Sequence, residues 1–200
     1  MYGHPKHLMS ETDARAAMRA FDRVALLITP DLNATHLPFL VEGERLIGHI
    51  ARANPHWKSA PCDALVVMAG AETYVSPNWY PSKAEHGRAV PTWNYATLHV
   101  HGALSTFDDR ARLEDVVSRL SARHEATLAR PWTIAEAPRD YIDRHLGAIV
   151  GVDLAIARIK GKRKLSQDKP EADRASVIAA LSASGDPRDG ALADTMREDE

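Results

Sequence analysis

The run WNYATLHVHGALSTF, Trp93 to Phe107, alternates side-chain character for long enough to be a strand or a hairpin. In extended backbone successive side chains point to opposite faces, so Tyr95, Thr97, His99 and His101 share one face while Ala96, Leu98 and Val100 share the other. One face is apolar and packs a core; its opposite is left for a ligand, a partner or water. A chain containing such a segment must build a sheet around it, and the flanking sequence agrees. VALLIT (Val24 to Thr29) is a β-rich apolar run. DLNATHLPFLVE reads as a turn and a second strand that Pro38 confines to an edge or a bulge. RLIGHIA is a third strand, ended by RANP. DALVVMAG (Asp63 to Gly70) has the unbroken apolar character of a fully buried strand, and ETYVSP continues the sheet toward a loop. The strands gather in residues 24–107, with no regular βαβ alternation and no internal repeat. The expected class is α+β, mainly β: an antiparallel barrel decorated with peripheral helices.

Helical periodicity appears around this block. Ser10 and Asp13 resemble a capping box ahead of Ala14, Ala17, Met18 and Phe21. Leu113, Val116, Val117 and Leu120 form an amphipathic stripe after Asp108 and Asp109. APRDYIDRHLGAIVG predicts a helix with Pro138 near its start, GVDLAIARIKGK returns to strand alternation, and Pro170 opens a last helix that Gly185 stops. PSKAEHGRAVPT, with Pro81, Gly87 and Pro91, reads as a loop. DPRDGALADTMREDE is polar and ends acidic, so a single domain is expected over 1–185 and a flexible acidic tail over 186–200.

Composition narrows the function classes. A chain of 200 residues, 44% hydrophobic and 26% charged, suits one compact globular domain. A formal charge of −2 exerts no global pull toward nucleic acid or an anionic membrane. The single Cys62 forms no intramolecular disulfide and no thiolate zinc cluster, which fits a reducing compartment, and the cytoplasm is expected. No basic segment precedes an apolar one at the N-terminus and no window approaches ~18 apolar residues, so neither a signal peptide nor a membrane span is expected.

The glycines form neither GxGxxG nor GxxxxGK[ST], and GxSxG is absent. Ten histidines include His36, His49, His56, His99 and His101 in the strand-rich region. His99 and His101, two residues apart, could ligate a metal or a haem iron, but imidazoles on a wet strand face, which need no metal, are the stronger account. No carboxylate or thiolate lies at ligand spacing nearby, so no metal is expected. Arg52 and Asn54 follow directly where a strand ends: as phosphate ligands the pair offers a bidentate cation and a neutral donor, and as a turn it offers Asn54 before Pro55 with Arg52 solvated. Trp57, Tyr74, Trp79, Tyr80, Trp93 and Tyr95 suit a flat heterocycle, a core or a dimer interface. ARIKGKRKLSQ concentrates Arg158, Lys160, Lys162, Arg163 and Lys164, without a helix-turn-helix to accompany it.

Taken together and in order, THLPFL (Thr35 to Leu40), GHIARANPHW (Gly48 to Trp57), YVSPNWY (Tyr74 to Tyr80), VPTWNYATLHVHG (Val90 to Gly102) and GKRKLSQ (Gly161 to Gln167) resemble the PaiB family of FMN-binding negative transcriptional regulators. The resemblance runs from MYGHPKH through the helix after Pro170. It implies a split β-barrel of the flavin-reductase and pyridoxamine-phosphate-oxidase type, a homodimer with two interfacial sites, and FMN or a related phosphate-bearing flavin as ligand. It further implies Arg52 and Asn54 at the phosphate, His49 and Ala51 lining the site, and Thr35 and His36 facing the isoalloxazine. Trp93 and Asn94 would begin the strand crossing the dimer interface, and Ser166 and Gln167 belong to the late family motif. A flavin-sensing regulator is the leading expectation; a flavin reductase or oxidase and a haem-handling protein on the same barrel are its rivals. Direct DNA contact would have to come from the Arg158 to Lys164 stretch, since neither charge nor helix pattern supplies a reading element.

Overall fold

The structure, a computed structural model, describes residues 1–199. In chain order the elements are α1 (Glu11–Ala20), β1 (Ala25–Ile28), β2 (Ala34–Leu37), β3 (Leu40–Glu42), β4 (Arg45–Ala51), β5 (Cys62–Val75), α2 (Ser82–His86), β6 (Thr92–Phe107), α3 (Arg110–Glu125), α4 (Arg139–Gly147), β7 (Ile149–Lys164), α5 (Glu171–Ala183) and α6 (Pro187–Glu198). The strands pair in the order β2-β1-β5-β6-β7-β4-β3, so the fold is mainly β with helices around it, as expected. The long alternation from Trp93 is one continuous strand of 16 residues rather than a hairpin, with Asn94, Leu98, Val100 and Leu104 buried. Pro38 interrupts the second expected strand: pairing with β1 stops at Leu37, and pairing with β4 resumes at Leu40.

Contacts divide the chain into two compact units, and β5, β6 and β7 each contribute residues to both. One unit comprises Arg15–Met68 and His99–Ile159. Here β4 pairs antiparallel with β7 from Arg45↔Ala155 to Ala51↔Ile149. The helices α3 and α4 bury the stripe foreseen in the sequence: Leu40 and Ile47 pack on Val116 and Leu120, while Leu113 packs on Ile142 and Leu146. Phe107 touches both groups, and its ring lies so close over β7 that a Cβ on Gly151 would stand 2.2 Å from it. Glycine is therefore required there by close approach. Asp153 is buried at the centre, accepting from Arg45 Nε at 2.7 Å and from Arg112 Nη2 at 2.5 Å.

The second unit comprises Met1–Ala14, Ala69–Leu98 and the chain from Lys160 onward. Its core gathers Val75, Tyr80, Leu165, Val177, Ile178, Leu181, Leu192, Ala193 and Met196. Two local expectations are corrected in this unit. Residues 82–86 of the expected loop form the short helix α2, ended by Gly87 at φ 67°, because Lys83, Ala84 and Glu85 are good helix formers between a proline and a glycine. The frayed tail read from residue 186 is instead the helix α6 from Pro187. Asp186 caps it by accepting from Arg188 N at 2.9 Å, and Leu192, Ala193 and Met196 fall on one buried side. Gly185, at φ 78°, does stop α5 as foreseen.

Because Met196 is fully buried, Met196→Ala should lower unfolding free energy by about 2–5 kcal/mol in urea titrations. A flexible tail would leave the midpoint unmoved.

Candidate functional site

The chemistry at the end of β4 follows from what Arg52 does. Its backbone N–H donates to Ala148 O at 2.8 Å, prolonging the β4–β7 edge. Its guanidinium turns onto the corner where α4 ends: Nε donates to Gly147 O and Nη2 to Ile149 O, each at 2.9 Å, while Nη2 also meets the Asp108 carboxylate. The last carbonyls of a helix lack intrahelical partners and carry partial negative charge, so a cation there is favourable. Arg52 is thus a clamp on the α4–β7 corner and not the solvated turn residue that its sequence position also allowed. Its Nη1 edge keeps no protein partner among the described residues.

Beside this clamp lies a cavity of about 530 Å³, lined by His49 and Ala51 of β4, by Trp132, and by Tyr141, Ile142 and His145 of α4. The volume falls in the range of small-molecule sites. The walls are almost wholly apolar or aromatic, and the Tyr141 and His145 rings stack at 4.1 Å. Of the two lining histidines, His145 has Nδ1 within 2.9 Å of Tyr141 O, whereas His49 Nδ1 is buried without a partner. Burial lowers its pKa from the ordinary 6.5, so the ring is neutral near pH 7. A neutral imidazole with an unsatisfied nitrogen, set in the wall of an apolar, aromatic-lined space, is a polar feature that suits a flat heterocycle with one polar edge.

Thr35 and Asn54 meet in the same unit. Asn54 Nδ2 donates to Thr35 Oγ1 at 3.1 Å, and Asn54 Oδ1 accepts from His56 N at 3.1 Å, the local turn expected of an asparagine before proline. The ring of His56 is buried between two hydroxyls, Thr35 Oγ1 at 2.7 Å and Thr29 Oγ1 at 2.8 Å. His56 sits in a 3-10 turn, Pro55–Ser59, rather than in a strand, and sequence reasoning did not place it with the site. The available signal was NPH itself, since an Asn-capped turn holds the next side chain in one direction. His36 is exposed on β2.

The other four candidates, Trp93, Asn94, Ser166 and Gln167, belong to the second unit. Asn94 and Ser166 are buried and bonded to each other, Nδ2 to Oγ at 3.0 Å, with Ser166 at φ 63°. Gln167 accepts from Leu165 N at 2.8 Å and donates to Arg163 O at 2.9 Å. Trp93 is 56% exposed and stands edge-on to Tyr74, ring centroids 6.3 Å apart. Within the basic stretch, Lys162 lies over the Tyr95 ring, Lys164 donates to Trp93 O at 2.6 Å, and Arg163 pairs with Asp199 at 3.6 Å.

A neutral buried imidazole makes stability depend on pH. The unfolded chain protonates His49 near 6.5 and the folded one only at lower pH, so its contribution is complete above 6.5 and declines as pH falls from there to the folded value. In His49→Leu, the loss of unfolding free energy between pH 7.5 and pH 5.5 should be smaller than in the parent by urea titration. An unchanged slope would mean that His49 titrates normally.

Residues 1–158 match the family described as "Putative FMN-binding domain". The chain is 29% identical to the protease synthase and sporulation protein PAI 2 of Bacillus subtilis, covering 82% of this chain and 80% of that one. It is 27% identical to an uncharacterized protein of Emericella nidulans, covering 84% of this chain and 82% of that one. Among solved structures, the flavocytochrome Anf3 of Azotobacter vinelandii aligns with TM-score 0.57 and 16% identity over 88% of this chain and 78% of its own. At that identity the likeness speaks for the fold, that of the flavin-binding split barrels. A sheet of this order, five motifs in sequence and a family match over most of the length agree, and the chain belongs to the PaiB family of FMN-binding proteins, with FMN as its cofactor.

Proposed function

We propose that the chain holds FMN with its ring system in the cavity beside β4 and its phosphate toward Arg52 and Asn54, and that it acts as a flavin-sensing negative regulator of transcription. The observation that carries the placement is the cavity: about 530 Å³ of apolar and aromatic wall, with one buried, partnerless nitrogen on His49. The residues fit the group. Trp132 and Tyr141 offer flat surfaces, His49 sets an imidazole with an unsatisfied nitrogen in the wall, and Arg52 has Nη1 free for a phosphate oxygen. Bound FMN supplies a ring that takes up and releases electrons, while the protein supplies position and electrostatics. Thr35, which accepts from Asn54, and His36 lie on β2; in place of the isoalloxazine expected there, this placement runs the sugar-phosphate end of the ligand past them.

The regulatory half rests on the family and on the Bacillus subtilis relative, a protein named for protease synthase and sporulation. A second copy of the chain is the fitting partner for the exposed Trp93 and Tyr74 pair, since edge-to-face aromatics left in water are characteristic of homodimer interfaces. Asn94 and Ser166, bonded to each other, then serve as the buried joint of that unit, with the half-buried Gln167 beside them. With three cations of the Arg158 to Lys164 stretch already engaged inside their own unit, regulation is indirect rather than by direct DNA contact. None of the helices among the described residues is long and apolar enough to cross a membrane, and a cytoplasmic location fits the lone cysteine.

Flavin-fluorescence titration tests the placement. Trp132→Ala should weaken both FMN and riboflavin. Arg52→Ala should weaken FMN by roughly 10- to 150-fold, the loss of one charged hydrogen bond, and narrow the difference between FMN and riboflavin. If both variants, shown folded by circular dichroism, bind FMN as the parent does, the placement is wrong. Oxidation of NADH or NADPH by the FMN-loaded protein would favour the oxidoreductase reading over the sensor, and a mobility shift lost at moderate salt would restore direct DNA binding.

A further inference from the structure

The hydrogen bonds around His56 form a chain with only one consistent direction. Thr29 Oγ1 gives its single proton to Asp31 Oδ1 at 2.5 Å, so the contact of 2.8 Å between Thr29 Oγ1 and His56 Nε2 must carry the proton on nitrogen. A neutral ring protonated at Nε2 leaves Nδ1 as an acceptor, and Thr35 Oγ1 donates to it at 2.7 Å. Asn54 Nδ2 in turn donates to Thr35 Oγ1 at 3.1 Å. Asp31 anchors the far end: bonds from Thr29 and Ser59 hold its carboxyl well below the usual carboxylate range, so it remains a charged acceptor at every physiological pH. His56 is buried, whereas Thr35 is only half-buried and reachable from outside.

We propose that Thr35 Oγ1 is a ligand contact whose polarity His56 sets. While the ring is neutral, Thr35 spends its proton on Nδ1 and offers a ligand only a lone pair. Once Nδ1 takes a proton, it donates to Thr35, and the hydroxyl turns its own hydrogen outward to an oxyanion such as a phosphate monoester. Identifying that anion as the phosphate of FMN rests on the placement proposed above; the switch itself needs only the chain of bonds. By linkage, an anion bound at Thr35 must raise the proton affinity of His56 by the same factor as protonation tightens the anion. The ionisable groups on the neighbouring elements are Asp31 after β1, His36 on β2, Lys58 on the same turn, and Cys62 and Asp63 at the start of β5. Asp31 is the one whose charge acts on the ring, opposing the lowering by burial.

Sulfate is the probe, because it stays a dianion across the pH range and does not titrate with the histidine. On protein labelled with 15N-histidine, NMR should find neutral His56 protonated at Nε2. Added sulfate should raise its midpoint, and sulfate should bind about fivefold or more tightly at pH 5 than at pH 7.5. Thr35→Val should abolish the sulfate-induced rise, and His56→Gln, which mimics the neutral ring toward both threonines, should bind sulfate equally at the two pH values. A neutral ring protonated at Nδ1, or a sulfate-induced rise that persists in Thr35→Val, overturns the switch. FMN that binds the parent without moving the His56 midpoint, where sulfate does move it, takes the FMN phosphate away from Thr35 and so overturns that part of the placement while supporting the switch. A sulfate response in a protein that does not bind FMN supports the switch and sinks the placement instead.

Discussion

A buried carboxylate between two arginines governs the unit that holds the cavity. Asp153 on β7 is almost fully enclosed, and burial by itself would raise its pKa; the bonds from Arg45 on β4 and Arg112 on α3 outweigh that and hold it low. Desolvating such a charge is expensive, and removing both cations would strand it, at a cost of about 3–5 kcal/mol. The penalty makes the pairing obligatory. It locks β4 against β7 in one register and seats α3 over both, with the Arg112 guanidinium 3.9 Å from the centre of the Phe107 ring. The cavity walls come from these same elements, since His49 and Ala51 ride on β4, Ile149 opens β7 and Val117 projects from α3. A side chain chosen to fix the core therefore also fixes the shape of the site.

Arg52 repeats the principle at the edge. Its guanidinium caps the carbonyl that ends α4 and the one that opens β7, and only its outer edge is left for a ligand. Asp108 meets the same Nη2, so an incoming phosphate at Nη1 would share the cation rather than find it idle. A planar fork with five donors can hold a helix end and an anion together, which an ammonium could not. In the proposed placement, structural and ligand-binding roles are therefore carried by one residue.

Much of the fold was legible because its signals are local. Alternation along Trp93 to Phe107 marked β6, the stripe from Leu113 to Leu120 marked α3, and Gly185 marked the end of α5. Where local signals compete, the reading failed. The segment from Pro187 has five charged residues among its twelve, and its polarity hid the three apolar residues that matter, because they become a stripe only when the chain is already helical. The site was half legible for the same reason. Arg52 and Asn54 stood out as polar residues after a strand, yet His56 did not, since its role depends on Thr29 and Thr35, which precede it by 27 and 21 residues.

By itself the sequence determined which segments extend, which coil, and which family pattern they follow, since those properties depend on neighbours within a few residues. Tertiary structure alone decided what the polar side chains are for. Arg52 finds its partners 95 and 97 residues away, and Arg45 finds Asp153 across 108. No periodicity encodes such meetings. They exist because burial leaves no water to satisfy these groups, and so the fold must bring each of them a partner.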